Sequence, residues 1–324
     1  MSRAILYDLE RKRKAAYRAE RKVKSQSLEI QIQNYNDNNK YCQYKFPKAD
    51  KLINETFISS EVITRTTKPT EDDAFEEIED KIDLCKSYIE TLMDVDLSET
   101  RVLRVNGLNN LAEGRALSCA ENEHAVLLPP KGNGFVSVDL LIHELGHTAE
   151  FMLRRPIPDN DYFTNFGILS EAIAHFVQFR YLREHGNEDQ KLSAIQSVVP
   201  GYVAMRVVEA ALADPRGGNI IIPEYVFHRP EVSEVRRAMG DGNFEYFLQF
   251  YRNLPIRKVY DHKVVERMGA IIALHLLDEP ETVRKFCTIK ALDSLEETLE
   301  SNNIDTQRVL DFTKADDLIK RFLN

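Results

Sequence analysis

The stretch Val138-Asp-Leu-Leu-Ile-His-Glu-Leu-Gly-His-Thr-Ala-Glu-Phe151 decides how the rest of the chain is read. Val138, Leu141, Ile142, Leu145 and Ala149, with Met152 beyond, recur at helical spacing and give one apolar face that can anchor a helix in a core. The same stretch carries His143-Glu144-Leu145-Gly146-His147, a match to the pattern HExxH. Residues four apart share a helix face, so both imidazoles can reach one zinc ion at about 2.0–2.1 Å. Glu144 follows the first imidazole and is placed to act as general base on an attacking water. Gly146 weakens a helix interior by about 1 kcal/mol relative to Ala, which makes sense if something must approach the backbone closely, or is simply tolerated. The plain alternative is a core helix with two satisfied histidines. Two imidazoles and a carboxylate are costly to bury without a partner, which weighs against it.

A catalytic zinc needs a third protein ligand and an open position. The elongated pattern HExxHxxGxxH would place Gly at 150 and His at 153, but Glu150 and Leu153 stand there, so that arrangement fails. Gly167-Ile-Leu-Ser-Glu-Ala-Ile-Ala-His-Phe-Val-Gln-Phe179 reads as a second helix, and Glu171 among its apolar neighbours is the best third ligand. His175 lies one turn further on the same face, either orienting a ligand through a hydrogen bond or competing as one. Glu150 is either a carboxylate supporting His147 or a solvent-facing residue.

Outward from this region the chain divides into a helical N-terminal part, a short strand region and a long helical part. Arg101-Val-Leu-Arg-Val105 alternates, and His124-Ala-Val-Leu-Leu128 is an apolar run closed by Pro129-Pro130; both read as strands. Residues 71–95 open with a run of carboxylates and continue as an amphipathic helix. The expectation is a mainly α (α+β) fold, with a small β-sheet beside the HExxH helix. Residues 1–24 hold nine basic side chains against three acidic ones, while the whole chain of 324 residues carries a net charge of -9. This segment reads as a basic helical arm, solvated or docked, or able to contact an acidic partner or an anionic membrane surface. With the polar tract 34–39 it forms an arm and linker over residues 1–48, leaving residues 49–324 as the catalytic domain.

Composition excludes several classes. Hydrophobic residues at 43% and charged residues at 29% are those of an ordinary globular protein, and no apolar run is long enough to span a bilayer. The N-terminus has no apolar core of the length a Sec signal needs, so the expected location is cytoplasmic, or outside the cell by a route without a Sec signal. Cys42, Cys85, Cys119 and Cys287 form no CxxC pair, which fits free thiols in a reducing compartment and gives no support to a Cys-based metal site. The acidic balance argues against nucleic acid as a partner.

Residues 115–119, 124–130, 132–134 and 138–149 together resemble the thimet oligopeptidase/oligoendopeptidase family of zinc peptidases, which are gluzincins. The resemblance covers roughly residues 110–180 and, weakly, 258–278. It implies a helical zinc-peptidase fold, one zinc per chain held by His143, His147 and Glu171, and a peptide or protein substrate cleaved with Glu144 as base. It also implies a strand before the HExGH helix that pairs with substrate, a role that falls to His124–Leu128 if that strand lies at a sheet edge. The family's oxyanion donors precede a helical Gly-xxx-Ala stretch, and Tyr260 and His262 match them, with His228 as a rival. The sequence departs from the family at Glu150, where a His is usual, and at Glu266, where a second Tyr is usual. Family members are also typically much longer, with a deep roofed channel; a shorter chain implies a shallower cleft and admits a folded protein as target. Two rivals stand beside this reading: a specific protein-cleaving effector or toxin, and a non-catalytic zinc-containing binding protein, which would have no need of Glu144.

Overall fold

A computed structural model describes residues 3–19, 21, 24–25, 27–28, 31–32, 51–67, 78–105, 114–120, 123–130, 137–157 and 166–324. The protein is mostly α-helical with one three-stranded sheet, as the residue patterns predict. The elements that build its centre are helices α1 (Arg3–Arg18) and α2 (Ile82–Met93), strands β1 (Arg101–Arg104), β2 (Arg115–Ser118) and β3 (His124–Leu128), and helices α3 (Val138–Leu153), α4 (Gly167–His185), α5 (Val199–Ala213) and α6 (Glu266–His275). The polar tract 34–39 and the carboxylate run 71–77 lie outside the described residues. No described helix is long and apolar enough to cross a membrane.

Helix α4 is the central one. Ile168, Leu169, Ala172, Ile173, Phe176, Val177 and Phe179 are all buried, so it is apolar nearly all round and takes neighbours on several sides. Helix α3 packs on one side and α6 on another. Both contacts depend on a missing side chain. A Cβ at Gly146 of α3 would stand 2.9 Å from the Ala174 Cα, and one at Gly269 of α6 would stand 2.7 Å from the Ala172 nitrogen. These approaches are to backbone, which cannot swing aside. The need for a close neighbour at Gly146, expected from its place inside a helix, is thus met by α4.

The sheet order is β1-β3-β2, with β3 parallel to β1 and antiparallel to β2. Alternation along β3 sends Val126 and Leu128 into the main core and Ala125 and Leu127 to a smaller cluster with Leu117, Cys119 and Tyr17 of α1. Helix α1 therefore covers the outer face of the sheet, which is why β3 is apolar at almost every position. The expectation that His124–Leu128 is an edge strand is corrected: with partners on both sides, its main-chain groups are already used. The edge beside α3 belongs to β2.

Docking of α1 also uses part of its basic charge internally. Arg13 is 1% exposed and pairs with Glu10 at 2.7 Å, and Lys14 pairs with Glu123 at 2.7 Å. Arg11 and Lys12 remain at the surface, both paired with Asp8. Among the described residues Cys85, Cys119 and Cys287 are free and buried.

His124 is fully buried in the central strand, with an Arg155 guanidinium nitrogen 3.4 Å from Nε2. Burial, together with that positive charge, pulls its pKa from 6.5 down to about 3. The unfolded chain binds the proton first, so the contribution of a neutral His124 is complete above pH 6.5 and declines as pH falls towards 3. We expect His124 to account for a loss of about 2 kcal/mol between pH 7 and pH 5. Urea unfolding of wild type and His124→Leu across that range measures it: the variant should lose less stability by that amount, and equal slopes would show that His124 is not held neutral.

Candidate metal centre

Helix α3 presents Asp139, His143, Glu144 and His147 to one cavity, and α4 presents Glu171, His175 and Gln178 from across it. The cavity has a volume of about 680 Å³. Gly114 to Ala116, at the start of β2, and His262, Lys263, Glu266 and Arg267 also line it. The three residues expected as ligands come together. Donor atoms of His143, His147 and Glu171 all lie within 4.8 Å of one another. His143 Nε2 is 3.6 Å from Glu171 Oε2, and His147 Nε2 is 3.6 Å from Glu171 Oε1. Donors placed about 2.0–2.2 Å from one ion at tetrahedral angles stand roughly 3.3–3.6 Å apart. Each imidazole therefore stands at a ligand's distance from one oxygen of the shared carboxylate, and the donor types suit a divalent cation such as zinc.

The far nitrogens of the rings are held as well. His143 Nδ1 lies 3.3 Å from Gln178 Oε1, and Gln178 Nε2 donates to Asp139 Oδ2 at 3.4 Å. An amide oxygen only accepts, so His143 carries its proton on Nδ1 and offers Nε2 as a lone pair. His147 Nδ1 faces Glu150 Oε2 at 3.8 Å and Ser170 Oγ at 3.4 Å, while Ser170 Oγ donates to Glu150 Oε2 at 2.5 Å. Glu150 is 3% exposed, which settles its two readings in favour of a buried carboxylate behind His147. Support of this kind orients ligand imidazoles and raises their basicity.

The titration behaviour follows from burial. Burial, with the charges of His175 and His147, holds the His143 pKa well below 6.5. Burial pushes the Glu144 carboxyl up to about 7, with the Glu171 charge adding and His147 opposing. Burial likewise raises Glu171. For His147 burial works against the charge, but the Glu150 hydrogen bond and the charges of Glu171 and Glu144 outweigh it, and the pKa rises to about 9. Three carboxylates around two imidazoles thus demand positive charge at this point; a proton on His147 supplies it, and a divalent cation supplies more.

The oxyanion candidates separate. His262 lines the cavity, with Nδ1 3.1 Å from Glu266 Oε1. Tyr260 is fully buried in the π-helical segment Tyr260–Val265 and does not line it. His228 is exposed and lies outside the cavity wall. Several cavity residues escaped the sequence reading. Gln178 had a signal, since positions 171, 175 and 178 follow one helix face; Asp139 had one too, four residues before His143. Arg267 had none, because the approach of α6 to α4 is purely tertiary.

No family model, curated protein or solved structure matches the chain.

Replacing the one carboxylate shared by both imidazoles tests the cluster. Glu171→Ala should weaken zinc binding by at least tenfold, read by competition with a chromophoric chelator, since lost supporting partners alone bring 10–100-fold effects. Unchanged affinity would assign the third donor elsewhere.

Proposed function

We propose that the chain is a zinc-dependent metallopeptidase of the HExxH…Glu type, hydrolysing peptide bonds in a peptide or protein substrate. The observation that carries the reading is Glu144: a buried carboxylate, next in sequence to His143, on the wall of the same cavity as the three-donor cluster. A non-catalytic binding site has no use for it there. The likeness of residues 110–180 to the thimet oligopeptidase/oligoendopeptidase family points the same way, and the fold carries the HExxH helix beside a small sheet as that likeness implies.

His143, His147 and Glu171 would hold the ion, which when bound would supply Lewis-acid polarisation of the scissile carbonyl and a more acidic water. Glu144 takes the proton from the attacking water and hands it to the leaving amine. A carboxyl whose proton affinity burial raises above the usual range can serve in both steps. Gln178 and Glu150 hold the two imidazoles in register from behind. His262, kept oriented by Glu266, donates to the developing oxyanion, and the hydrogen bond raises its pKa, which favours the protonated ring with an N–H on both nitrogens. The substrate backbone pairs with the edge of β2. The Ala116 backbone already hydrogen-bonds to Glu144, which brings that edge and the base together.

Glu144→Gln tests the base: zinc content should stay at one per chain while hydrolysis of a quenched peptide pool falls about 10²–10⁴-fold. Normal turnover in that variant would refute the assignment. The oxyanion donor is tested by contrast. His262→Ala should lower kcat about 10²–10³-fold, whereas Tyr260→Phe, whose hydroxyl is outside the cavity, should keep the wild-type rate. The reverse order would return the role to Tyr260.

A further inference from the structure

The carboxylates that line the cavity each have a neighbour that answers them. Asp139 accepts from Gln178 and Ser137, Glu144 accepts from the Ala116 backbone, Glu171 faces His143 and His147, and Glu266 holds His262. One cation of the same lining has no such answer. Lys263 is exposed in the cavity and makes no ion pair or hydrogen bond with any described residue.

Arg267 adds a second positive charge, and its side chain is fixed at both ends. A Cβ at Gly201 of α5 would stand 2.6 Å from the Arg267 Cβ, so the stem is pressed against a helix backbone. At the head, Nη1 donates to the Ser197 main-chain oxygen at 3.3 Å. Two residues further along α6, a Cβ at Gly269 would stand 2.9 Å from the Glu171 Cβ, so this helix is packed tightly against the one that carries the proposed ligand. The Arg267 charge is felt at the donor cluster, where it opposes a proton on His143 and on Glu171. A cation in that place repels a metal ion as well, so it does not help to hold one. It favours an anion that arrives with the substrate.

We propose that Lys263, together with Arg267, receives a carboxylate of the substrate, so that the preferred peptides carry one close to the scissile bond. This rests on the peptidase reading given above. A carboxylate is the anionic group that an unmodified peptide ordinarily brings, as an Asp or Glu side chain or as a free C-terminus. Lysine meets it as a mobile point charge at the open side of the cavity, and arginine supports it from a fixed position.

Two pairs of quenched peptides separate the sources. One pair is C-terminally amidated and differs by Glu against Gln near the scissile bond; the other has neutral side chains and differs by a free against an amidated C-terminus. With the full-length zinc-loaded chain at low salt, we expect kcat/KM to favour the carboxylate member of at least one pair about tenfold. Lys263→Met should cut that ratio to about threefold or less, and Lys263→Glu should favour the uncharged member. Equal rates within both pairs, or a ratio that neither variant changes, would overturn the proposal. The same preference is read without turnover, as the affinity of labelled peptides for the zinc-loaded Glu144→Gln chain. Tighter binding of the carboxylate member with no cleavage by wild type would defeat the peptidase reading and leave the carboxylate site standing. Cleavage without preference would defeat this inference alone.

Discussion

Donor atoms of two histidines and a glutamate lie within 4.8 Å of one another in a cleft between helices, and the rest of the architecture serves to keep them there. Groups of this kind repel one another unless positive charge sits among them, and the surroundings strengthen the demand. Burial keeps His143 neutral and raises Glu144 and Glu171, while for His147 the neighbouring carboxylates outweigh burial and favour a proton. The helices cannot relax away from the conflict. Gly146 and Gly269 let α3 and α6 press directly on the backbone of α4, so the helix that carries Glu171 is fixed from two sides by contacts that tolerate no extra atom.

The small sheet has a double task. Its central strand is sealed by α1 on one face and by α3 and the main core on the other, which gives the HExxH helix a rigid support. Its edge strand brings Gly114 to Ala116 to the end of the cavity where Glu144 lies. Under the proposed peptidase reading, a base at that edge would meet an extended chain at its backbone, and backbone pairing reads little sequence.

Behind the donors runs a connected set of polar groups: Asp139 to Gln178, Gln178 to His143 and His175, and separately Ser170 to Glu150 to His147. The rings of His143 and His147 are each held at Nδ1, the nitrogen that does not face Glu171. Such support converts two flexible side chains into a prepared site, so that little ordering remains to be done when a ligand arrives.

Local sequence alone determined the two helices, the pairing of His143 with His147 on one face, the place of Glu144 beside them and the choice of Glu171. All of these follow from the regular 3.6-residue period, which relates residues a few positions apart without reference to the rest of the chain. The mainly helical class with a small sheet was legible for the same reason. Tertiary structure alone decided which strand is the edge, since an apolar run reads alike whether its second neighbour is a strand or substrate. It also decided that Glu150 turns inward to His147, that Tyr260 is sealed away while His262 faces the cavity, and that Arg267 arrives from a helix some hundred residues beyond Glu171. These are matters of which surfaces meet, and no periodicity within one segment encodes the position of another.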